Sequence, residues 1–405
     1  MTDSVRTQYE RWIYPQPVDD LEVWVAGGGF SVGDARVCGD IFWPATGYRD
    51  GMNILVAGCG ANQAARYALQ HQTARVTGID LSEASLAHEE RLKAKHGLDN
   101  LSLRRMRLED ASGLNETFDF IACSGVLHHL PDPAAGLAAL EGVLDIDGVI
   151  FVMLYGRYGR APVYMMQELF RILGATDQSD ADVALVKATL PLLSQEHPLR
   201  TYAKRSTDMK FDAGLVDLFL HKQDRPYSVG EIMKLTADAS LVFQAWVEPM
   251  YYNPDGRVTE NHPLYHRLEQ LSDEDRWKAV ELLDGLRSRH DFCVCRPDRP
   301  PRSYRIDFRE PDFPDRAVPL PPESMLTPAS DGKPALLKGP RATPLTLSPP
   351  LVALYRQIDG QRTVRKCLEA APVDAPAEVL KQHGLRFFRS LWRTGHLDFR
   401  LKGST

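Results

Sequence analysis

Between residues 53 and 154 short apolar runs alternate with helix-forming stretches, and this pattern leaves the chain few architectures to choose from. Asn53-Ile54-Leu55-Val56-Ala57 is such a run. It is apolar almost throughout, as a parallel strand covered on both faces is. It enters the tight turn Gly58-Cys59-Gly60, after which residues 62–72 favour helix. Arg75-Val76-Thr77-Gly78-Ile79-Asp80 is a second strand, and Ser82 caps a helix through about Lys95. Leu101-Ser102-Leu103, Phe118–Cys123 and Val149–Leu154 read as three more strands, with a helix over 133–144 before the last. Strand alternating with helix at this spacing predicts an α/β fold, a doubly wound and mostly parallel sheet.

The strand ends carry the chemistry. Glycines at 58 and 60 let the chain turn sharply and let a ligand approach the backbone. Asp80 lies 20 residues on, at the tip of the second strand, where a carboxylate can accept both hydroxyls of a ribose. In order and spacing these segments resemble the class I, Rossmann-like S-adenosylmethionine-dependent methyltransferases. Ile54–Gly60 is similar to that family's first motif and Thr77–Ser82 to its second. Leu108-Glu109-Asp110 falls where the family contacts adenine. Phe118–Ile121 with Gly125-Val126-Leu127-His128-His129-Leu130 resembles the fourth-strand motif, and Leu144–Val149 the turn before the fifth strand. The resemblance covers about residues 50–155. It implies S-adenosylmethionine as cofactor, held by Gly58, Cys59, Gly60, Asn62, Gln63, Asp80, Leu81, Leu108, Glu109, Ser124 and Gly125.

The chain departs from that family's pattern in two places. Asn62 follows Ala61 where a third glycine is usual, and Val56-Ala57 stand where an acid often holds the cofactor's methionine end. Asn62, Gln63 or the N-terminal segment then takes over that role. The missing third glycine also argues against a dinucleotide enzyme, whose fingerprint needs it for helix–strand packing beside a pyrophosphate. Methyl transfer chiefly demands in-line alignment and exclusion of water, so no catalytic triad is required. His128, His129 and Tyr155 are the candidates for any catalytic role; the histidines read first as structural residues on the cofactor floor. No metal site is expected.

The remainder adds a lid and a tail. Residues 1–50 form an aromatic and glycine-rich cap segment, including Gly27-Gly28-Gly29, Phe30 and Tyr14, a candidate substrate contact. A helical insertion over about 160–225 precedes strand candidates 241–247 and 291–296, giving a methyltransferase-like domain over 51–297. His221 and Tyr227, near the end of the insertion, are further candidate substrate contacts. Nine prolines fall between 297 and 330, which reads as an extended linker or wrapping arm over 298–330. Residues 331–405 suggest three helices and a closing strand, a small α/β winged-helix-like domain. That domain carries 13 Lys and Arg against 6 Asp and Glu, a net of +7, leaving −13 on the rest of a chain of net charge −6.

The first residues hold no apolar signal core, and no apolar run reaches the roughly 18–20 residues of a membrane span. The six cysteines form no CxxC pair and read as reduced thiols. A cytoplasmic enzyme is expected, without membrane partners. It would methylate an acceptor, small molecule or protein rather than nucleic acid. Nucleic acid would be met only through the basic C-terminal domain. The alternative is a cofactor-binding regulator or scaffold working through that domain.

Overall fold

The computed structural model describes residues 3–28, 32–320, 325–328, 334–337, 345–373 and 376–403. Gly29 and Phe30, and parts of the proline-rich stretch and of the C-terminal domain, lie outside these residues. The chain divides into two compact units built from discontinuous segments. One contains Met1–Asp34, Asp50–Phe243 and Asp284–Asp298; the other contains Ala35–Arg49, Gln244–Leu283 and Arg299–Thr405. Segment 1–50 thus contributes to both.

A seven-stranded sheet lies largely in the first unit. Its strands are β1 (Asn53–Ala57), β2 (Arg75–Asp80), β3 (Leu101–Arg105), β4 (Phe118–Ser124), β5 (Leu144–Tyr155), β6 (Val242–Trp246) and β7 (Arg289–Cys295). They lie in the order β3-β2-β1-β4-β5-β7-β6. The β1–β2, β2–β3, β1–β4 and β4–β5 pairs are parallel, and β7 runs antiparallel to β5. Ile54 to Ala57 are fully buried, as the unbroken apolar run predicts. The strand order reverses between β1 and β4. In open α/β sheets this is where a crevice opens outside the carboxyl ends of the strands.

The expected turn at 144–149 belongs to β5 instead. Phe118 pairs with Leu144 and Phe120 with Val149, so the intervening residues of β5 bulge opposite Asp119. Helices Gln63–Gln70, Glu83–His96 and Pro133–Glu141 match the expected positions, Ser82 is the N-cap of the second, and Val229–Asp238 is a further helix. The expected insertion consists of helices Ala161–Ile172, Asp180–Thr189, Pro198–Ala203 and Asp212–Phe219. It encloses its own apolar cluster of Val163, Phe170, Val186, Val216 and Phe219. Gly174, at φ +80, ends the first helix, and Pro198 starts the third. Helices Asp3–Arg11 and Leu21–Ala26 lie in the N-terminal cap segment.

The second unit has its own core. Phe313, Val364, Phe388, Leu391 and Phe399 are buried in it, so part of the proline-rich stretch is packed. Helices Pro349–Tyr355, Val364–Ala370 and Ala377–Arg393 are the three expected ones. The closing strand Phe399–Leu401 pairs antiparallel with Ala317–Pro319, upstream of those helices. No hairpin follows the third helix among the described residues, so the wing of a winged helix has no counterpart there. A three-stranded sheet of Met325–Pro328, Pro334–Leu337 and Leu345–Thr346 completes the unit. Among the described residues no helix is long and apolar enough to cross a membrane.

Candidate active site

At the strand-order reversal, β1 ends in a turn that only glycines make. Gly58 has φ +73 and Gly60 φ +56, a left-handed region that side chains rarely enter. A Cβ on Gly58 would also lie 2.4 Å from a Val126 methyl. Gly58→Ala is therefore expected to lower stability by about 1 kcal/mol through its φ alone, with a further loss from displacing Val126. Thermal denaturation checks this, and Val126→Ala is expected to restore only the steric part. The turn is tied to β2 by Gly58 and Cys59, whose N–H groups donate to the Ile79 carbonyl at 2.8 and 3.0 Å.

Asp80 ends β2 and faces the turn. Gly60 N–H donates to its Oδ2 and Ser82 N–H to its Oδ1, both at 2.8 Å. The carboxylate is thereby fixed, and each oxygen keeps a further lone pair. Burial raises the Asp80 carboxyl above its ordinary value, against those two N–H groups.

The helix after the turn is closed to phosphate. Glu89, fully buried, accepts from Ala64 N–H at 2.9 Å and Ala65 N–H at 2.8 Å. These are first-turn donors of helix Gln63–Gln70, the groups that would cradle a pyrophosphate in a dinucleotide enzyme. A carboxylic side chain already fills that place. Burial pushes the Glu89 carboxyl up to about 8.

A cavity of about 230 Å³ opens here. Of the residues expected to hold a cofactor, Gly58, Gly60, Asn62, Gln63, Asp80, Leu81, Leu108, Ser124 and Gly125 line it. Cys59 and Glu109 do not. Cys59 is fully buried with its sulfur toward Gly78, and the Glu109 carboxylate pairs with Arg107 at 3.3 Å. Asn62 acts structurally. Its Nδ2 donates to the Gln16 carbonyl at 2.9 Å and its Oδ1 accepts from Val18 N–H at 3.0 Å. It straps the N-terminal segment across the turn, so that Tyr9, Tyr14, Pro15 and Trp24 form part of the wall. Met106, Met153 and Ser82 line it as well.

Tyr155, from the end of β5, and Tyr9 meet one carboxylate. Tyr9 Oη donates to Asp217 Oδ1 at 3.1 Å and Tyr155 Oη to Asp217 Oδ2 at 3.3 Å. Asp217 comes from the helical insertion and is buried, which pushes its carboxyl up to about 6. His129 lines the cavity, with Nδ1 bonded to the Gln223 carbonyl at 2.9 Å and its ring stacked on His221. His128 and His221 are buried off the cavity, and burial holds both well below the ordinary histidine range. His221 Nδ1 accepts from Gln223 N–H at 3.0 Å and its Nε2 lies 3.4 Å from Tyr9 Oη. It thus supports a cavity residue rather than facing the cavity. Tyr227 is also off the cavity: its backbone bridges to Gly156, and its N–H donates to the Tyr155 carbonyl at 2.8 Å.

Residues 55–150, which contain this turn and its acidic partner, match the family model for a methyltransferase domain. The chain carries a methyltransferase domain of the class I, S-adenosylmethionine-dependent kind. The methyltransferase is 28% identical over 335 residues to an uncharacterized protein of a Synechococcus species, covering 80% of this chain and 78% of that one. It is 31% identical over 102 residues to the ubiquinone biosynthesis O-methyltransferase of Neisseria meningitidis serogroup C. That match covers 25% of this chain and only 43% of the relative. Its fold is that of PKMT2 from Rickettsia typhi in complex with AdoHcy, with a TM-score of 0.59 at 14% identity, over 91% of this chain and 75% of that one.

The residues fit S-adenosylmethionine. The Asp80 oxygens retain lone pairs for a ribose diol, and the positive-φ glycines leave the backbone open to a ligand. Glu89 occupies the phosphate-binding place, which a phosphate-free cofactor does not need. No NADH binding is expected in a fluorescence titration, because a pyrophosphate would have to displace that carboxyl group.

Proposed function

We propose that the methyltransferase acts on an acceptor whose nucleophile carries a hydrogen-bond donor, a hydroxyl or an amine of a small molecule or a protein. One observation carries the proposal: the hydroxyl hydrogens of Tyr9 and Tyr155 both point to Asp217. Their oxygens therefore offer lone pairs rather than hydrogens, and both residues line the cavity. A wall of acceptors pairs with an O–H or N–H and repels a bare carboxylate or phosphate.

S-adenosylmethionine, when bound, supplies an electrophilic methyl group on a sulfonium. Asp80 would hold its ribose, Gly58 and Gly60 would allow its close approach, and Leu108 and Met106 would cover its adenine. Tyr9 and Tyr155 would orient the acceptor, and the strap held by Asn62 would exclude water. The six cysteines are free and buried, which fits a reducing cytoplasm. The basic C-terminal region is the surface we assign to any anionic macromolecular partner.

Methyl-labelled S-adenosylmethionine incubated with the protein and a cell extract tests the reading. Label is expected in the protein fraction or in solvent-extractable small molecules. Label in RNA alone would sink the acceptor class. With the labelled acceptor in hand, Asp217→Asn is expected to lower turnover by about 100-fold. An asparagine amide donates to one tyrosine and turns that hydroxyl hydrogen toward the acceptor. Unchanged turnover would remove Asp217 from the design.

A further inference from the structure

A second cluster, beside the cavity wall, contains polar atoms that the methyl-transfer site leaves unpaired. His128 is buried between the rings of Tyr155 and His129, at 4.0 and 4.2 Å between centroids. Neither of its ring nitrogens has a hydrogen-bond partner. Asp224 Oδ1 is likewise buried and unpartnered, while Oδ2 accepts from Gln167 Nε2 at 3.2 Å and Arg160 at 3.4 Å. His129 gives its Nδ1–H to the Gln223 carbonyl, which leaves the Nε2 lone pair available. One ligand-capable atom from each of His128, His129 and Asp224 lies within 4.8 Å of the others. Buried polar atoms are paired almost without exception, so such a convergence calls for an ion or a water molecule.

We propose that His128, His129 and Asp224 hold a divalent first-row transition-metal ion. Two imidazoles and one carboxylate suit such an ion and are a poor set for calcium or magnesium, which take oxygen ligands. The outer contacts are those of a metal site. One histidine donates its other nitrogen to a backbone carbonyl, and the carboxylate's second oxygen is held by neighbouring donors. Three protein ligands leave a coordination position open. Asp217 and Asp224 together outweigh the guanidinium of Arg160, so the surroundings accept a cation.

The neighbouring group of His129, Asp217 and His221 is as compact, but each of its members already has a hydrogen-bond partner. His221 Nδ1 takes the Gln223 N–H, and both Asp217 oxygens take tyrosine hydroxyls.

Tag-free, full-length protein stripped with a chelator and titrated with Co²⁺ tests the assignment. One equivalent per chain is expected, with visible d–d bands stronger than those of the hydrated ion. Asp224→Asn and His128→Asn are each expected to weaken Co²⁺ binding at least about 100-fold. S-adenosylhomocysteine binding, followed on the same metal-free samples, reports whether the fold and cofactor seat are intact. Substoichiometric uptake by the wild type, or uptake that neither folded variant weakens, overturns the metal and leaves a buried water as the partner. Should both variants fail to fold, the wild-type spectrum decides. Bands indistinguishable from the hydrated ion overturn the site, and strong low-coordinate bands sustain it.

Discussion

Asp80→Ala is expected to weaken binding of S-adenosylhomocysteine by about 10- to 100-fold, as charge-assisted hydrogen bonds of about 1.5–3 kcal/mol are lost. The carboxylate does two things at once. In the proposed cofactor seat it would accept from the ribose, and it pins Gly60 and Ser82 N–H groups at 2.8 Å, which fixes the turn and the start of the next helix. Asp80→Asn is expected to fall between, because its amide keeps one acceptor and faces an N–H with its NH₂. Glu109→Ala, two residues beyond Arg107, is the contrasting variant. Its carboxylate pairs with Arg107 off the cavity, so its affinity is expected to stay within about 2-fold, the small effect usual for a pair of that exposure. Isothermal titration reads all three. A folded Asp80→Ala protein with wild-type affinity would move the cofactor seat elsewhere, and a large loss in Glu109→Ala would restore the adenine contact.

How much of this is legible in the sequence follows from the range of each interaction. A parallel strand buried on both faces writes an unbroken apolar run, so β1 and its glycine turn are visible in residues 53–60. Asp80 and Ser82 are visible for the same local reason. Glu89 is not, because it sits in Glu83–His96 among charged neighbours and reads as one more solvated position. Only the packing of that helix against Gln63–Gln70 buries it. Asp217 and Tyr9 are 208 residues apart, and no local pattern announces their bond. His221 and Tyr227 look like contacts in sequence. In the fold one braces Tyr9 and the other is bridged by its backbone to Gly156. Helices Pro263–Glu269 and Asp273–Asp284, between the last two strands, mix polar and apolar residues without a clear stripe and leave no local signal.

Glu89 gives the second large effect, on stability rather than affinity. Glu89→Ala is expected to cost about 2–4 kcal/mol, since it leaves two buried N–H groups without acceptors and opens a cavity beside them. Glu89→Gln keeps the volume and one acceptor and is expected to cost about 1 kcal/mol at neutral pH. The two also separate charge from shape. The carboxyl lies near 4.5 in the unfolded chain and about 8 in the fold, so folding takes up a proton between those values. Its contribution is therefore fully favourable below about pH 4.5 and is lost as pH rises toward 8. The loss is on the order of 3–5 kcal/mol across the whole window. Glutamine does not titrate, so the stability difference between wild type and Glu89→Gln should shift against the wild type between pH 5.5 and 8.5 in urea denaturation. A difference that stays constant over that range would mean the carboxylate is already charged at low pH. The two helix N–H groups, and not burial, would then set its state.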